Sequence, residues 1–315
     1  MNITAKKGID YTLYRGLERI GERVGNTPLF PIERIFSKPG VKLFAKLEWE
    51  QIGASVKARA AYSIIRKAVL TGKLHKGNRL IDATSGNTGI AYASICAGIG
   101  LDLTIVIPEN ASKERIQMLR ALGADLIFTS KFDGTDGAQE KAKVMAMESP
   151  GEFYYADQYN NAANWQAHEA STAIEICAQT KGEITHFVAG LGTTGTFVGT
   201  SRGLQKINDQ ISLISLQPET ALHGMEGWKH LETAKVPGIY DDNIAHANLE
   251  VSTLEAYELI REMARKEGML ISPSSAANLV GALRVANSIE RGVVVTMFPD
   301  DASKYSEVLN HVFAA

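Results

Sequence analysis

Six short apolar runs recur along the chain, at Arg79–Ala83, Leu103–Ile107, Asp125–Thr129, His186–Ala189, Leu213–Leu216 and Val293–Phe298. Such runs, rich in Val, Ile and Leu, predict strands buried on both faces. Amphipathic stretches lie between most of them. In Ser112–Leu122 the apolar residues Ile116, Leu119 and Leu122 fall at helical spacing, and Gly123 follows as a C-terminal cap. Ser252 and Glu255 form a capping-box pattern ahead of Tyr257, Ile260 and Met263. Buried strands alternating with helices predict an α/β protein built on parallel sheet. Two polar turns, Asp133–Gly137 and Glu148–Gly151, mark a seam. They suggest one unit over residues 47–153 and a second sheet after it.

Composition narrows the function classes. The chain has 315 residues, 45% hydrophobic and 22% charged, enough to bury a large core without disulfides or metal. A net charge of -2 gives no electrostatic footprint for nucleic acid or an anionic membrane. No apolar run reaches spanning length, and the first ten residues lack the apolar core of a signal peptide, so a cytoplasmic protein is expected. Cys96 and Cys177 lie far apart in apolar helical patterns and read as reduced thiols. The seven histidines show no ligand spacing, so no metal is assigned.

Four segments carry chemistry. Ala54-Ser-Val-Lys57 opens a helical pattern running to about Leu70, with Ser55 as the expected N-cap and Lys57 in the first turn. The partial positive charge of a helix start disfavours a cation there, which suits a lysine meant to act as a nucleophile. A lone lysine is more often a solvated surface residue. Ala83-Thr-Ser-Gly-Asn-Thr-Gly89 follows one strand and opens a helix, and Thr84, Ser85, Asn87 and Thr88 offer donors to a carboxylate. An ordinary capped turn would need fewer of them. Gly190-Leu-Gly-Thr-Thr-Gly-Thr196 is a phosphate-cradling pattern. Its glycines also satisfy the dinucleotide fingerprint, with Glu219 near the end of the next strand. Three threonine hydroxyls and a mid-chain position tilt it toward a terminal phosphate. In Ser272-Pro-Ser-Ser-Ala-Ala277, helix capping by Ser274 or Ser275 is locally the stronger reading.

Taken in order, these motifs resemble the cysteine synthase and cystathionine β-synthase family of pyridoxal-phosphate enzymes. The likeness runs from Gly25-Asn-Thr-Pro-Leu29 through Lys46-Leu-Glu48, Ser55-Val-Lys57, Thr84 to Gly89, the Gly190 loop and Gln217-Pro-Glu219 to Phe298-Pro-Asp300. Met225-Glu-Gly-Trp-Lys-His230 and Val236-Pro-Gly-Ile-Tyr240 look closest to the B-type cysteine synthases. The resemblance implies a tryptophan-synthase-β-like fold: two domains, each a mainly parallel twisted sheet flanked by helices, with the cofactor in the cleft between them. Residues 47–153 would be a smaller mobile substrate-binding domain, and 1–46 with 154–315 a larger cofactor-binding domain. Lys57 would carry pyridoxal 5'-phosphate as a Schiff base. Asn87 would bond the ring 3′-hydroxyl. Gly192, Thr193, Thr194, Gly195 and Thr196 would cradle the phosphate, and Ser274 would face the pyridine nitrogen. Thr84, Ser85, Thr88 and Gln158 would hold the substrate carboxylate.

The implied reaction is β-replacement on an O-activated L-serine, either O-acetylserine or O-phosphoserine, with sulfide or another sulfur donor, giving L-cysteine. The implied assembly is a homodimer. Phosphoserine-using relatives carry an arginine shortly before the Pro-Gly-Ile segment, and alignment through Val236–Ile239 places Lys229 there, beside His230. An exposed surface lysine fits that position equally well. The chain departs from the family pattern at Ala54, Ala58, Ala173-Ile174 and Ala276. Other enzymes of this fold, such as a serine or threonine dehydratase or a cystathionine β-synthase, stay open. A nicotinamide oxidoreductase resting on the Gly190 loop and a non-catalytic paralogue stand further off.

Overall fold

The computed structural model describes residues 9–84 and 86–314. Ten strands are formed among them: β1 (Leu29–Pro31), β2 (Val41–Leu47), β3 (Arg79–Ala83), β4 (Leu103–Pro108), β5 (Asp125–Thr129), β6 (Phe153–Tyr155), β7 (His186–Gly190), β8 (Ser212–Pro218), β9 (Ala247–Val251) and β10 (Gly292–Phe298). All six expected runs are strands. The chain divides into two compact units. Among the described residues, one holds Lys57–Asn164 with residues 9–24; the other holds Gly25–Val56 and residues 165–314.

The first unit carries a four-stranded sheet in the order β5-β4-β3-β6, parallel throughout. Ile81, Ala83 and Val106 of its central strands bury against Ala138 and Ala142 of the Gly134–Glu148 helix. The helix predicted from Ser112 runs Lys113–Ala121; the Ser112 side chain accepts from the Arg115 N–H, and Gly123 has φ +81°.

The second unit carries a six-stranded sheet, β1-β2-β10-β7-β8-β9, parallel except where β1 meets β2. Successive residues of β10 feed opposite cores. Val294 and Phe298 pack with Val188, Leu216 and Leu279, whereas Val293, Val295 and Met297 pack with Phe187, Phe197 and Leu213. Each such side chain contributes about 1.5–3 kcal/mol by leaving water, which is why both faces must be covered by helices. The capping box at Ser252 and Glu255 forms as expected and opens the Thr253–Glu262 helix.

Strand β2 escapes the apolar-run criterion because Lys42 and Lys46 interrupt it. Lys46 is nonetheless fully buried: its Nζ donates to the Thr27 carbonyl at 2.7 Å and to Gln179 Oε1 at 3.0 Å, and pairs with Glu175 at 2.8 Å. A buried ammonium is tolerated when it is paired and hydrogen-bonded in this way. No helix among the described residues is long and apolar enough to cross a membrane.

Candidate active site

In the first unit the candidate residues gather at the C-terminal ends of β3 and β6. Thr84 follows β3, donates its N–H to the Val106 carbonyl and accepts at Oγ1 from the Gly86 N–H at 3.1 Å. Ser85 lies outside the described residues. Asn87 is the first residue of the Asn87–Ile99 helix, whose N-cap is Gly86 with no side-chain cap bond. The next residue, Thr88, donates from Oγ1 to Gln158 Oε1 at 2.7 Å.

Gln158 sits just beyond β6, after Asp157 turns the chain with φ +48°. Its Nε2 donates to the Ala83 carbonyl at 3.0 Å, and its own carbonyl accepts from Asn164 Nδ2 at 2.7 Å. The buried Asp82 carboxylate ties the two strand ends together, accepting from the Ala83 N–H at 2.9 Å and the Gln158 N–H at 3.3 Å. Burial, with the nearby Asp157 charge adding to it, pushes the Asp82 carboxyl up to about 7 against the opposing backbone hydrogen bonds.

Lys57 is the first residue of the Lys57–Leu70 helix and is half-buried. Its position in the first turn is as expected, but Ser55 is not the cap. Ser55 is extended and fully buried, and its Oγ has no hydrogen-bond partner. The approach to the lysine is fixed elsewhere: Val56 donates its N–H to the Pro299 carbonyl at 2.8 Å, and Lys304 Nζ donates to the Ala54 carbonyl at 2.8 Å. Ala54 holds φ +45°, a left-handed conformation that a glycine adopts without cost.

In the second unit, the loop after β7 leads into the Gly195–Ile207 helix. Thr194 is its N-cap at φ +69° and makes no side-chain cap bond. Two glycines of the loop are required by close approach. A Cβ on Gly190 would lie 2.1 Å from the Trp228 ring, and one on Gly192 would lie 2.1 Å from the Gly227 carbonyl oxygen. The segment Gly227–Lys229 thus docks directly on the loop, and the Lys229 N–H closes the contact by donating to the Leu191 carbonyl at 2.8 Å. Thr196 Oγ1 lies 3.3 Å from Nε2 of the buried His168, whose Nδ1 meets Thr172 Oγ1 at 3.0 Å.

Ser274 opens the Pro273–Ser288 helix, and here the capping expectation is corrected. Ser272 is the cap, accepting from the Ser275 N–H at 3.1 Å, with Pro273 in the first turn. Ser275 Oγ donates to the Asp300 carbonyl at 2.7 Å. Ser274 Oγ is 3.2 Å from Ser272 Oγ and is not engaged in capping.

A family model described as "Pyridoxal-phosphate dependent enzyme" matches residues 20–300. The chain belongs to this pyridoxal-phosphate dependent enzyme family. It is 43% identical over 295 residues to a cysteine synthase of Aquifex aeolicus, covering 91% of this chain and 90% of that one. To cysteine synthase B of Salmonella typhimurium it is 38% identical over 291 residues, covering 92% and 94%. Among solved structures, cysteine synthase (OASS) of Entamoeba histolytica superposes with a TM-score of 0.87 at 28% identity, covering 100% of this chain and 99% of that one. The O-acetylserine dependent cystathionine beta-synthase of Helicobacter pylori does so with 0.86 at 33% identity, covering 91% and 96%. This pyridoxal-phosphate enzyme is cysteine-synthase-like, and the dinucleotide reading of Gly190–Gly195 falls away.

The residues present fit the cofactor. The hydroxyl of Thr194, a residue only 2% exposed, is buried without a partner in the loop, at a helix start with no side-chain cap. A phosphate supplies the acceptor that such donors lack. His168, Asp82 and Asn278 support these residues but carry no motif. His168 sits in a π-helical turn, His168–Thr172, which no local pattern announces.

Proposed function

We propose that this enzyme makes L-cysteine by β-replacement, exchanging the acetate of O-acetylserine for sulfide. The likeness to a cysteine synthase over nine-tenths of both chains carries this reading. When bound, pyridoxal phosphate supplies the electron sink that makes the substrate's Cα–H acidic and lets the β-substituent leave. Lys57 would hold the cofactor, and its Nζ is the base for the Cα proton. Thr84, Thr88 and Gln158 orient the substrate through its carboxylate. Asn87 would bond the ring hydroxyl, the loop Gly192–Thr196 would anchor the phosphate, and Ser274 would offer the ring nitrogen a neutral hydroxyl.

The unit carrying Thr84, Thr88 and Gln158 is proposed as the mobile substrate-binding domain; its main segment, Lys57–Asn164, differs in bounds from the expected 47–153. A cytoplasmic homodimer completes the reading, two-fold dimers being the commonest assemblies; sedimentation at micromolar protein reads its mass. The test of the reaction is direct. The loaded enzyme given O-acetylserine and sulfide should release cysteine, whereas pyruvate or 2-oxobutyrate from serine or threonine would mark a dehydratase.

Gln158→Ala should weaken amino-acid binding while the bound cofactor keeps its spectrum, because the Gln158 amide bonds to Thr88 and to the Ala83 carbonyl, in the segment proposed to hold the carboxylate. Loss of one hydrogen bond to a carboxylate predicts a rise in KM of about ten- to a hundredfold. Amino-acid affinity equal to that of the parent enzyme would remove Gln158 from this role.

O-Phosphoserine is proposed as a second accepted substrate. Lys229 is half-buried and fixed beside the phosphate loop by its own N–H. An ammonium is a point charge without the bidentate fork of arginine, so the recognition is looser than an arginine would give. Lys229→Ala should lower kcat/KM for O-phosphoserine by about ten- to a hundredfold, the worth of one charge-assisted contact, and leave O-acetylserine nearly untouched. Equal losses on both substrates would refute it.

A further inference from the structure

Strands β7 and β10 part company before β7 ends. Their pairing runs from Val294 opposite His186 to Thr296 opposite Val188 and stops there, while on the other side β7 stays paired with β8 through Gly190 opposite Leu216. The parting opens space for the loop that follows, and it strips backbone groups of β7 of their sheet partners. Side chains replace them. Thr296 Oγ1 donates to the Val188 carbonyl at 2.9 Å, and the Gly190 N–H donates to Asn278 Oδ1 at 2.8 Å. The other end of the same amide, Asn278 Nδ2, donates to the Ser274 carbonyl at 2.9 Å. Asn278 is 1% exposed, so water does not compete for either bond.

We propose that Asn278 is a positioning residue that fixes the phosphate loop and Ser274 relative to each other, and so sets the distance between the two anchors of the cofactor. The inference rests on the reading of Gly192–Thr196 as phosphate cradle and of Ser274 as partner of the ring nitrogen. Its geometry is specific to asparagine. The side chain must present an acceptor to a strand end and a donor to the first turn of its own helix, one turn back. Aspartate supplies two acceptors, alanine and leucine neither, and glutamine places the amide one methylene further out. A buried amide satisfied at both ends holds its place, whereas losing either bond strands a buried backbone group. Asn278 touches neither substrate nor reacting atoms; it acts through Gly190 and Ser274.

The test uses the full-length enzyme with Asn278→Ala and Asn278→Asp. Asn278→Ala should raise the Kd for pyridoxal phosphate by about tenfold or more. It should also shift the visible band of the bound cofactor and move its ³¹P resonance. Asn278→Asp keeps the acceptor for Gly190 and loses the donor to Ser274. It should shift the visible band and leave the ³¹P resonance close to wild type. Where the alanine variant does not fold, the nearly isosteric aspartate variant decides alone. A purely structural role would lower the melting temperature of loaded and cofactor-free protein equally, with Kd and both spectra unmoved, and that outcome overturns the proposal. Thr194→Val and Ser274→Ala serve as references. If they alter affinity and spectra while the Asn278 variants do not, this inference fails and the site reading stands. If they alter nothing, the site reading fails and takes this proposal with it.

Discussion

Replacing Lys57 with alanine should give a folded protein that binds pyridoxal phosphate weakly, lacks the yellow absorbance of the lysine-linked cofactor and has lost β-replacement. The fold should survive because Lys57 contributes little to either core: it is half-buried at the first position of its helix, and alanine is the best helix former. The residues before it keep their anchors, Val56 on the Pro299 carbonyl and Ala54 on Lys304. What disappears, on the proposed reading, is an amine with two duties, a covalent hold on the cofactor and the base for the Cα proton. General base catalysis alone is worth about 10²–10⁴-fold, so the combined loss should reach roughly 10³-fold or more. Borohydride reduction followed by peptide mapping checks the assignment. A reducible lysine link that persists in Lys57→Ala would place the Schiff base on another lysine and overturn the site reading at its centre.

The parts of this site legible in the sequence are those that local chemistry dictates. The Gly190–Thr196 loop could be read as a glycine-rich turn from a strand into a helix, because that pattern needs little tertiary context. The strands could be read because both sheet faces are buried and demand continuous apolar runs. The triple serine at Ser272, Ser274 and Ser275 was ambiguous as a cap, yet a local signal existed. Proline favours the first helical position, so Pro273 points to Ser272 as the cap and releases Ser274. Ser55 shows the opposite case: a serine two residues before a helix satisfies the capping rule on paper, but the chain there is held extended by the bond from Val56 to Pro299, distant in sequence. Asp82, His168 and Asn278 were not legible, and Lys46 entered only through the Lys46-Leu-Glu48 likeness, with nothing to mark it as buried. Each is a polar residue buried by partners remote in sequence or by an irregular turn, and no pattern of neighbours distinguishes it from a surface residue. Glu175, which pairs with Lys46, lies beside the departure Ala173-Ile174, where Ala173 is buried and Ile174 is half exposed to solvent. The departures at Ala58 and Ala276 are likewise buried small residues.

Gly192→Ala should be the more damaging of the alanine substitutions at the two crowded glycines of this loop. The added Cβ would stand 2.1 Å from the Gly227 carbonyl oxygen, far inside contact distance, and the obstacle is backbone, which cannot rotate aside. Gly190→Ala presents the same distance to Trp228, but there the obstacle is a side chain that can repack at the usual overpacking cost of about 1–3 kcal/mol. At Gly192 either the loop or the Gly227 segment must retreat by about an ångström, a displacement that can cost on the order of 10²-fold where groups must be held in place. Gly227 is followed by Trp228, which is buried in the core of this unit, so the loop should be the part that yields. Its amides and the Thr194 hydroxyl then lose their common focus on the phosphate. The Kd for pyridoxal phosphate should rise about a hundredfold. Lys229 follows Gly227 by two residues and is tied to Leu191, so efficiency with O-phosphoserine should fall further than with O-acetylserine even at saturating cofactor. Equilibrium dialysis of the cofactor and kcat/KM on both substrates measure the two effects. A Gly192→Ala enzyme that retains cofactor within twofold of wild type would show that the loop does not cradle the phosphate.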